Sequence, residues 1–202
     1  MSGKTHIAVG TAVALAVLQP MEGPQLVTGI CAAVVGSVIS DIDVDTSISS
    51  RGINKAAAIY MTVIFVAVVV ELLFHVGIVS LIQKNSMWMR VATGIALFMS
   101  VCAFGKIQPH RSFMHSLSAL LILSGAVALI YPAAVPYFSI AFISHILADL
   151  LNYKKVRLFY PLKKGISFKI CHATGLVNSA LFIVGTSAVV IEMALYVYYK
   201  IF

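Results

Sequence analysis

Four short groups of polar residues stand out in a chain that is otherwise strongly apolar. The densest is the segment from His110 to Ser116, in which two histidines, an arginine and two serines fall within seven residues. Imidazole and carboxylate groups without thiolates are ligands that suit Zn²⁺, Mn²⁺ or Fe²⁺. We therefore predict that the four groups meet and hold metal. The candidate ligands are His6, Asp41, Asp43, His110, His115, His145 and Asp149.

The spacing of the histidines indicates how they reach one site. His145 and Asp149 are four positions apart, so on a helix they share a face and can bind one ion. His110 and His115 are five apart, and on one continuous helix they would point about 140° away from each other. Pro109 prevents a helix from continuing just before His110. We therefore expect His110 in a loop and His115 in the first turn of the next helix.

This ligand set is larger than one tetrahedral ion requires. It predicts two divalent ions bridged by an aspartate, an arrangement that activates water and clamps both oxygens of a phosphoester. Zinc is the first candidate, with manganese and iron as alternatives. Arg111, between the two histidines, could orient an anionic substrate. Ser112 and Ser116 complete the predicted catalytic residues, as groups that support the ligands.

The helices that must position these residues are hydrophobic enough to cross a membrane. The 202-residue chain is 60% hydrophobic and 10% charged, with a mean hydropathy of +1.00. So few charged residues cannot cover a soluble protein, and a bilayer core needs about 20 apolar residues per helix. The sequence predicts one all-α domain over residues 1–202, a polytopic transmembrane helical bundle of about seven helices, some of them short. The predicted spans are 6–18, 25–40, 56–82, 91–104, 113–131 with Ser112 as N-cap, a sixth ending near 151, and 174–199.

Counting about seven crossings places the four polar groups at the same face of the membrane. Most Lys and Arg residues fall on that face too, and short loops rich in basic residues remain in the cytoplasm. We therefore predict a multi-pass protein of the inner (plasma) membrane, with its N-terminus and its site on the cytoplasmic side. The basic residues predicted on this face are Lys4, Arg51, Lys55, Lys106, Arg111, Lys154, Lys155, Arg157, Lys163, Lys164 and Lys169, whereas Lys84, Arg90 and Lys200 fall on the other.

Two other functions would use the same residues differently. A transporter or ion channel would pass cations along the His and Asp groups, and Glu71 with His75 in the third span is the only hint of a continuing path. A non-catalytic protein would use a saturated metal site, or a buried network of Asp, Arg and His, to stabilise the bundle. No nucleic-acid-binding motif accompanies the net charge of +7, so nucleic acid is not an expected partner. The predicted partners are membrane lipids and a lipid or phosphoester substrate, with the oligomeric state left open.

The polar groups also carry a resemblance to a known family. In their order along the chain they resemble the motifs of the DUF457 family, the YdjM-like, LexA-regulated membrane-bound metal-dependent hydrolases, over about residues 1–165. The resemblance implies a metal-dependent hydrolase, and the His and Asp pattern is also similar to that of zinc phospholipase C and P1-type nucleases, which implies a phosphoester substrate. The matching motifs are Thr5-His6, Asp41-Ile42-Asp43, His110-Arg111-x-x-x-His115-Ser116, Ser144-His145-x-x-x-Asp149 and Leu158-Phe159-Tyr160-Pro161-Leu162. The chain departs from the family pattern at Ser40, Ser112, Met114 and Asn152, none of which is a candidate ligand.

Overall fold

The structure is a computed structural model that describes residues 1–44, 52, 86–173 and 175–201. These residues form α-helices joined by turns and by one longer segment, residues 152–173, and no strand occurs among them, so the prediction of an all-α protein is confirmed. Three short 3₁₀ turns, Ile39–Asp43, Phe113–His115 and Pro132–Ala134, lie between the helices. The helices of the described residues are α1 (Gly3–Leu18), α2 (Gly23–Val38), α3 (Ser86–Lys106), α4 (Leu117–Ile130), α5 (Val135–Leu150) and α6 (Leu176–Ile201).

Several of these helices are apolar and long enough to cross a bilayer. Within the described residues, four helical stretches meet that requirement, and α1 and α4 are shorter apolar helices. The predicted span at 56–82, with Glu71 and His75, lies outside the described residues. The six helices of the described residues are roughly consistent with the prediction of about seven. The four long stretches are Gly23–Asp43, Ser86–Lys106, Pro132–Leu150 and Leu176–Ile201.

The start of α4 differs from the prediction because a later serine caps it. Ser116 has an extended backbone, and its hydroxyl accepts a hydrogen bond from the Ala119 N–H at 3.1 Å. That arrangement is typical of an N-cap. Ser112 makes no side-chain capping bond, and the residues after it form the 3₁₀ turn Phe113–His115. The prediction that Ser112 caps this helix was therefore wrong, and His115 precedes the helix instead of lying in its first turn.

Helix α5 lies at the centre of the bundle. Its residues Phe138, Phe142 and Ile146 are buried in a core that also includes Leu123 of α4. Helix α2 approaches it closely because Gly36 has no side chain, and a Cβ added there would lie 2.4 Å from the Phe138 carbonyl oxygen. Small residues allow this kind of backbone contact between membrane helices. The close packing holds the last turn of α2 against the first part of α5. The Ser37 carbonyl, next to Gly36, contacts the ring of His145 nearer the end of α5, where the site is found.

Residues 152–173, called the connector below, link α5 to α6 and fold back against the site. Backbone bridges pair Asn152 with Cys171 and Val156 with Ile166. The Leu158 carbonyl also accepts a hydrogen bond from the Leu117 N–H at 3.0 Å. The connector is therefore held in a defined shape by hydrogen bonds to itself and to the start of α4.

Candidate metal centre

The last two turns of α5 carry two candidate ligands on one face of the helix. His145 and Asp149 are each only 1% exposed. The Nδ1–H of His145 donates to the Ser37 carbonyl oxygen at 2.6 Å, since a carbonyl can only accept. In the neutral imidazole this leaves the lone pair of Nε2 free to bind metal, and such a bond to the other nitrogen is the usual way of orienting a histidine ligand.

Four further contacts bring His115 and Asp41 to the same point. His115 Nε2 lies 3.3 Å from His145 Nε2, 3.4 Å from Asp149 Oδ2 and 3.6 Å from Asp41 Oδ1. His145 Nε2 is also 3.6 Å from Asp41 Oδ1. Ligand atoms about 2.0–2.1 Å from a tetrahedral ion are about 3.3–3.4 Å apart, so these separations fit one ion closely. We call Asp41, His115, His145 and Asp149 the first ligand group.

A second group of potential ligands lies beside the first and shares His115 with it. Asp43, His110 and His115 each offer a ligand atom, and these atoms lie within 4.8 Å of one another. His110 Nδ1 is 2.8 Å from Asp43 Oδ1, and His115 Nδ1 is 4.0 Å from Asp43 Oδ2. The His110 side chain is 36% exposed, whereas that of His115 is fully buried. The second ligand group therefore forms the more solvent-accessible side of the centre.

His6 lies next to the first ligand group. Its ring stacks on that of His145 with centroids 3.7 Å apart, and its Nε2 is 3.5 Å from Asp149 Oδ1. His6 is 2% exposed, and neither of its ring nitrogens has a hydrogen-bond partner. Buried polar atoms without a partner are rare because leaving them unsatisfied costs about 1–3 kcal/mol. An additional bound group at this position would satisfy His6.

Arg111 connects the carboxylates of the two ligand groups. Its Nη2 lies 2.9 Å from Asp149 Oδ2, and its backbone N–H donates to Asp43 Oδ2 at 3.2 Å. The residue has a φ of 63°, in the left-handed region that non-glycine residues seldom adopt. Such strain is typical of functional sites, where the surrounding contacts hold the backbone in place. Nη1 donates to the Lys154 carbonyl at 2.8 Å, and Nε has no partner.

The two predicted catalytic serines bond to backbone atoms of their own turn. The Ser112 hydroxyl donates to the Pro109 carbonyl, and the Ser116 hydroxyl donates to the Phe113 carbonyl at 2.6 Å. Both hydroxyls therefore shape the turn that carries His115. A direct part for either serine in catalysis stays a prediction.

Some features of the site carry no obvious signal in the sequence. The Ser37 carbonyl, which orients His145, is a backbone group and cannot be recognised from residue type. Asn152 donates to Asp149 Oδ1 at 3.0 Å, and the only signal for it is a polar residue three positions after a predicted ligand. A cavity of about 370 Å³ opens beside the ligands, with Lys154 and His172 in its wall. Long-range packing of the connector forms that cavity.

Comparisons with known proteins agree with the resemblance in the polar motifs. A model of the YdjM inner membrane protein family matches residues 1–202, which extends the resemblance beyond 1–165 to the end of α6. No curated protein and no solved structure matches the chain.

Proposed function

The chain belongs to the YdjM inner membrane protein family, and from that premise we propose that it is a membrane-bound metal-dependent hydrolase. Its substrate would be an ester or phosphoester, with membrane lipids among the candidates. The observation that supports this proposal is the first ligand group, in which four separations between ligand nitrogen and oxygen atoms are 3.3–3.6 Å and fit a tetrahedral ion. A divalent ion held there would act as a Lewis acid and activate a water molecule for attack on the substrate.

We propose two ions, with zinc as the first candidate and manganese or iron as alternatives. The first ligand group would hold one ion, and Asp43, His110 and His115 would contribute to the other, with His115 serving both ions as an imidazolate that has lost its N–H proton. Three protein ligands leave a coordination position for water or substrate, as catalytic sites require. The partial exposure of His110 supports access to that position from outside. His6 would serve as a further ligand beside Asp149.

The surrounding residues would hold the ligands and the substrate. Arg111 is placed to keep Asp149 in position, and it also lines the cavity, where it could orient an anionic substrate group. Asn152 supports the other oxygen of Asp149. The cavity would receive the substrate next to the ligands. The distribution of basic residues favours a cytoplasmic position for the whole site.

Two observations favour this function over a purely structural polar network. A network that stabilises the bundle would satisfy its own buried polar atoms. Here both ring nitrogens of His6 and Nδ1 of His115 have no hydrogen-bond partner. In addition, a cavity adjoins the ligands, which a purely structural network does not need. The transport alternative depends on Glu71 and His75, which lie outside the described residues.

The proposed function can be tested with detergent-purified protein and a panel of phosphodiester, phosphomonoester and carboxylester substrates. We expect hydrolysis that a chelator abolishes and that added zinc or manganese restores. Asp149→Asn should lose the activity. His172→Ala changes an exposed histidine outside both ligand groups, and this variant should keep its metal. Metal-loaded protein that hydrolyses no member of the panel faster than Asp149→Asn would contradict the proposal and favour the non-catalytic alternative.

A further inference from the structure

The cavity beside the ligands joins the metal centre to the connector. Its volume is about 370 Å³, and its wall includes Asp41, Asp149 and Arg111 on the side of the centre. Tyr153 and His172 line it on the side of the connector, and their rings stack with centroids 4.6 Å apart. A molecule that enters the cavity would therefore touch the connector and reach the ligands.

All the charged side chains of the connector are basic. Residues 152–173 contain six Lys and Arg residues and no Asp or Glu. Five of the basic residues are exposed: Lys154, Lys155, Lys163, Lys164 and Lys169. Such a surface attracts anionic groups, and basic segments next to a membrane helix bind anionic lipid headgroups.

Exposed apolar side chains alternate with these basic residues. Phe159 is 54% exposed, Leu162 63%, Phe168 59% and Ile170 62%. The backbone that presents them is held firmly, since the Phe168 N–H donates to the Leu150 carbonyl at 2.8 Å. Aromatic and aliphatic side chains combined with Lys and Arg are typical of segments that lie in the membrane interface.

The position of the connector agrees with this interpretation. It joins Leu150, the last residue of one candidate membrane span, to α6, which is another. A segment between the ends of two spanning helices lies at the bilayer surface. The cavity, and with it the centre, would then open at the level of the lipid headgroups.

From the cavity, the charge and the exposed apolar residues together, we infer that the connector binds a phosphate-bearing membrane lipid and that this lipid is the substrate of the site. The inference rests on the proposed function, because it names the substrate class for the same metal centre. The lipid phosphate would lie in the cavity near Arg111, while its acyl chains stay in the bilayer beside Phe168 and Ile170. Arginine and metal ions are the groups that bind phosphate oxygens most effectively in proteins.

The test measures lipid binding separately from catalysis. Full-length protein in detergent is titrated with dioctanoyl phosphatidic acid, with dioctanoylglycerol, which lacks the phosphate, and with inorganic phosphate, which lacks the acyl chains. The variant Lys163→Gln/Lys164→Gln/Lys169→Gln removes three charges outside the ligand groups. The control Arg90→Gln/Lys200→Gln removes two charges, at the ends of α3 and α6 that lie away from the connector. Metal content is measured in every sample.

We expect phosphatidic acid to bind the wild type and to bind the connector variant roughly 100-fold more weakly, since each basic residue near a headgroup contributes about a factor of five. The control should match the wild type, and dioctanoylglycerol should bind only weakly. Equal affinity of the connector variant and the wild type would overturn the inference. Inorganic phosphate binding as tightly as phosphatidic acid would also overturn it, because the ligand would then be a soluble phosphate compound.

The metal content separates failure of this inference from failure of the proposed function. Protein that holds metal but binds lipid independently of the connector charges would overturn the lipid inference alone. Protein that binds phosphatidic acid through the connector but takes up no metal would overturn the metal-dependent hydrolase, and with it the inference that the lipid is a substrate.

Discussion

The close contact between α2 and α5 should control metal affinity, and Gly36→Ala tests this. A Cβ at Gly36 would lie 2.4 Å from the Phe138 carbonyl oxygen, and ordinary contact requires about 3.4 Å. The two helices must therefore separate by about 1 Å at this point. Ser37 follows directly, and its carbonyl accepts the hydrogen bond of His145 Nδ1 at 2.6 Å. A comparable shift would lengthen that bond to about 3.6 Å, beyond hydrogen-bonding range.

The expected result is a loss of metal affinity with only moderate loss of stability. Removal of a group that orients a metal ligand lowers affinity by about 10- to 100-fold, and overpacking costs about 1–3 kcal/mol of unfolding free energy. Affinity is measured by competition with a chromophoric chelator, and stability by thermal unfolding of the metal-free protein. Gly125→Ala in α4 is the control, because a Cβ there meets nothing within 4 Å.

Two results would refute this reasoning. If Gly36→Ala is destabilised but binds metal as tightly as the wild type, then the Ser37 carbonyl does not determine the ligand geometry of His145. If Gly125→Ala loses metal to the same extent as Gly36→Ala, then the effect arises from a general loss of helix packing.

Three further substitutions test separate parts of the site. Added metal at about 1,000 times its Kd should raise the Tm of the wild type by about 8–16 °C. The substitution His145→Ala should abolish that rise. If the Tm of His145→Ala still rises with metal, then His145 is not a ligand. Ser116→Ala removes the N-cap of α4 and should lower the unfolding free energy by about 1 kcal/mol with unchanged metal content, and loss of metal would show that the serine does more than cap. Arg111→Met removes one of the two cationic partners of the buried Asp149 carboxylate and leaves the N-terminal amine of Met1 at 2.7 Å, so the metal-free protein should lose about 1–3 kcal/mol in chemical denaturation; an unchanged midpoint would show that the pair contributes nothing.

The sequence was informative where chemistry depends on residue type and on spacing along one helix. The pair His145 and Asp149 could be placed on one face of a helix because residues four apart lie together. The prediction that Pro109 interrupts the helix was right to place His110 and His115 outside one continuous helix, although His115 occupies a 3₁₀ turn before the helix. High hydropathy predicted apolar helices, and the structure contains them.

Features that depend on backbone atoms and distant packing could not be predicted in this way. The stacking of His6 on His145 brings together residues from α1 and α5, and nothing in their spacing specifies it. The left-handed backbone of Arg111, and its pairing with Asp149, depend on the folded turn. We predicted that an aspartate bridges two ions, and the structure adds that His115 is common to both ligand groups. Which residue forms the bridge depends on the metal complex itself.

The metal content of the purified protein tests the central claim most directly. Elemental analysis should find about two equivalents of zinc, manganese or iron in the wild type, given two ligand groups. His115→Ala should lose both ions because His115 belongs to both groups, Asp149→Ala should retain one at most, and His172→Ala should match the wild type. If the wild type binds no metal even when it is supplied, then the His and Asp residues form a structural polar network and the chain is not a metal-dependent hydrolase.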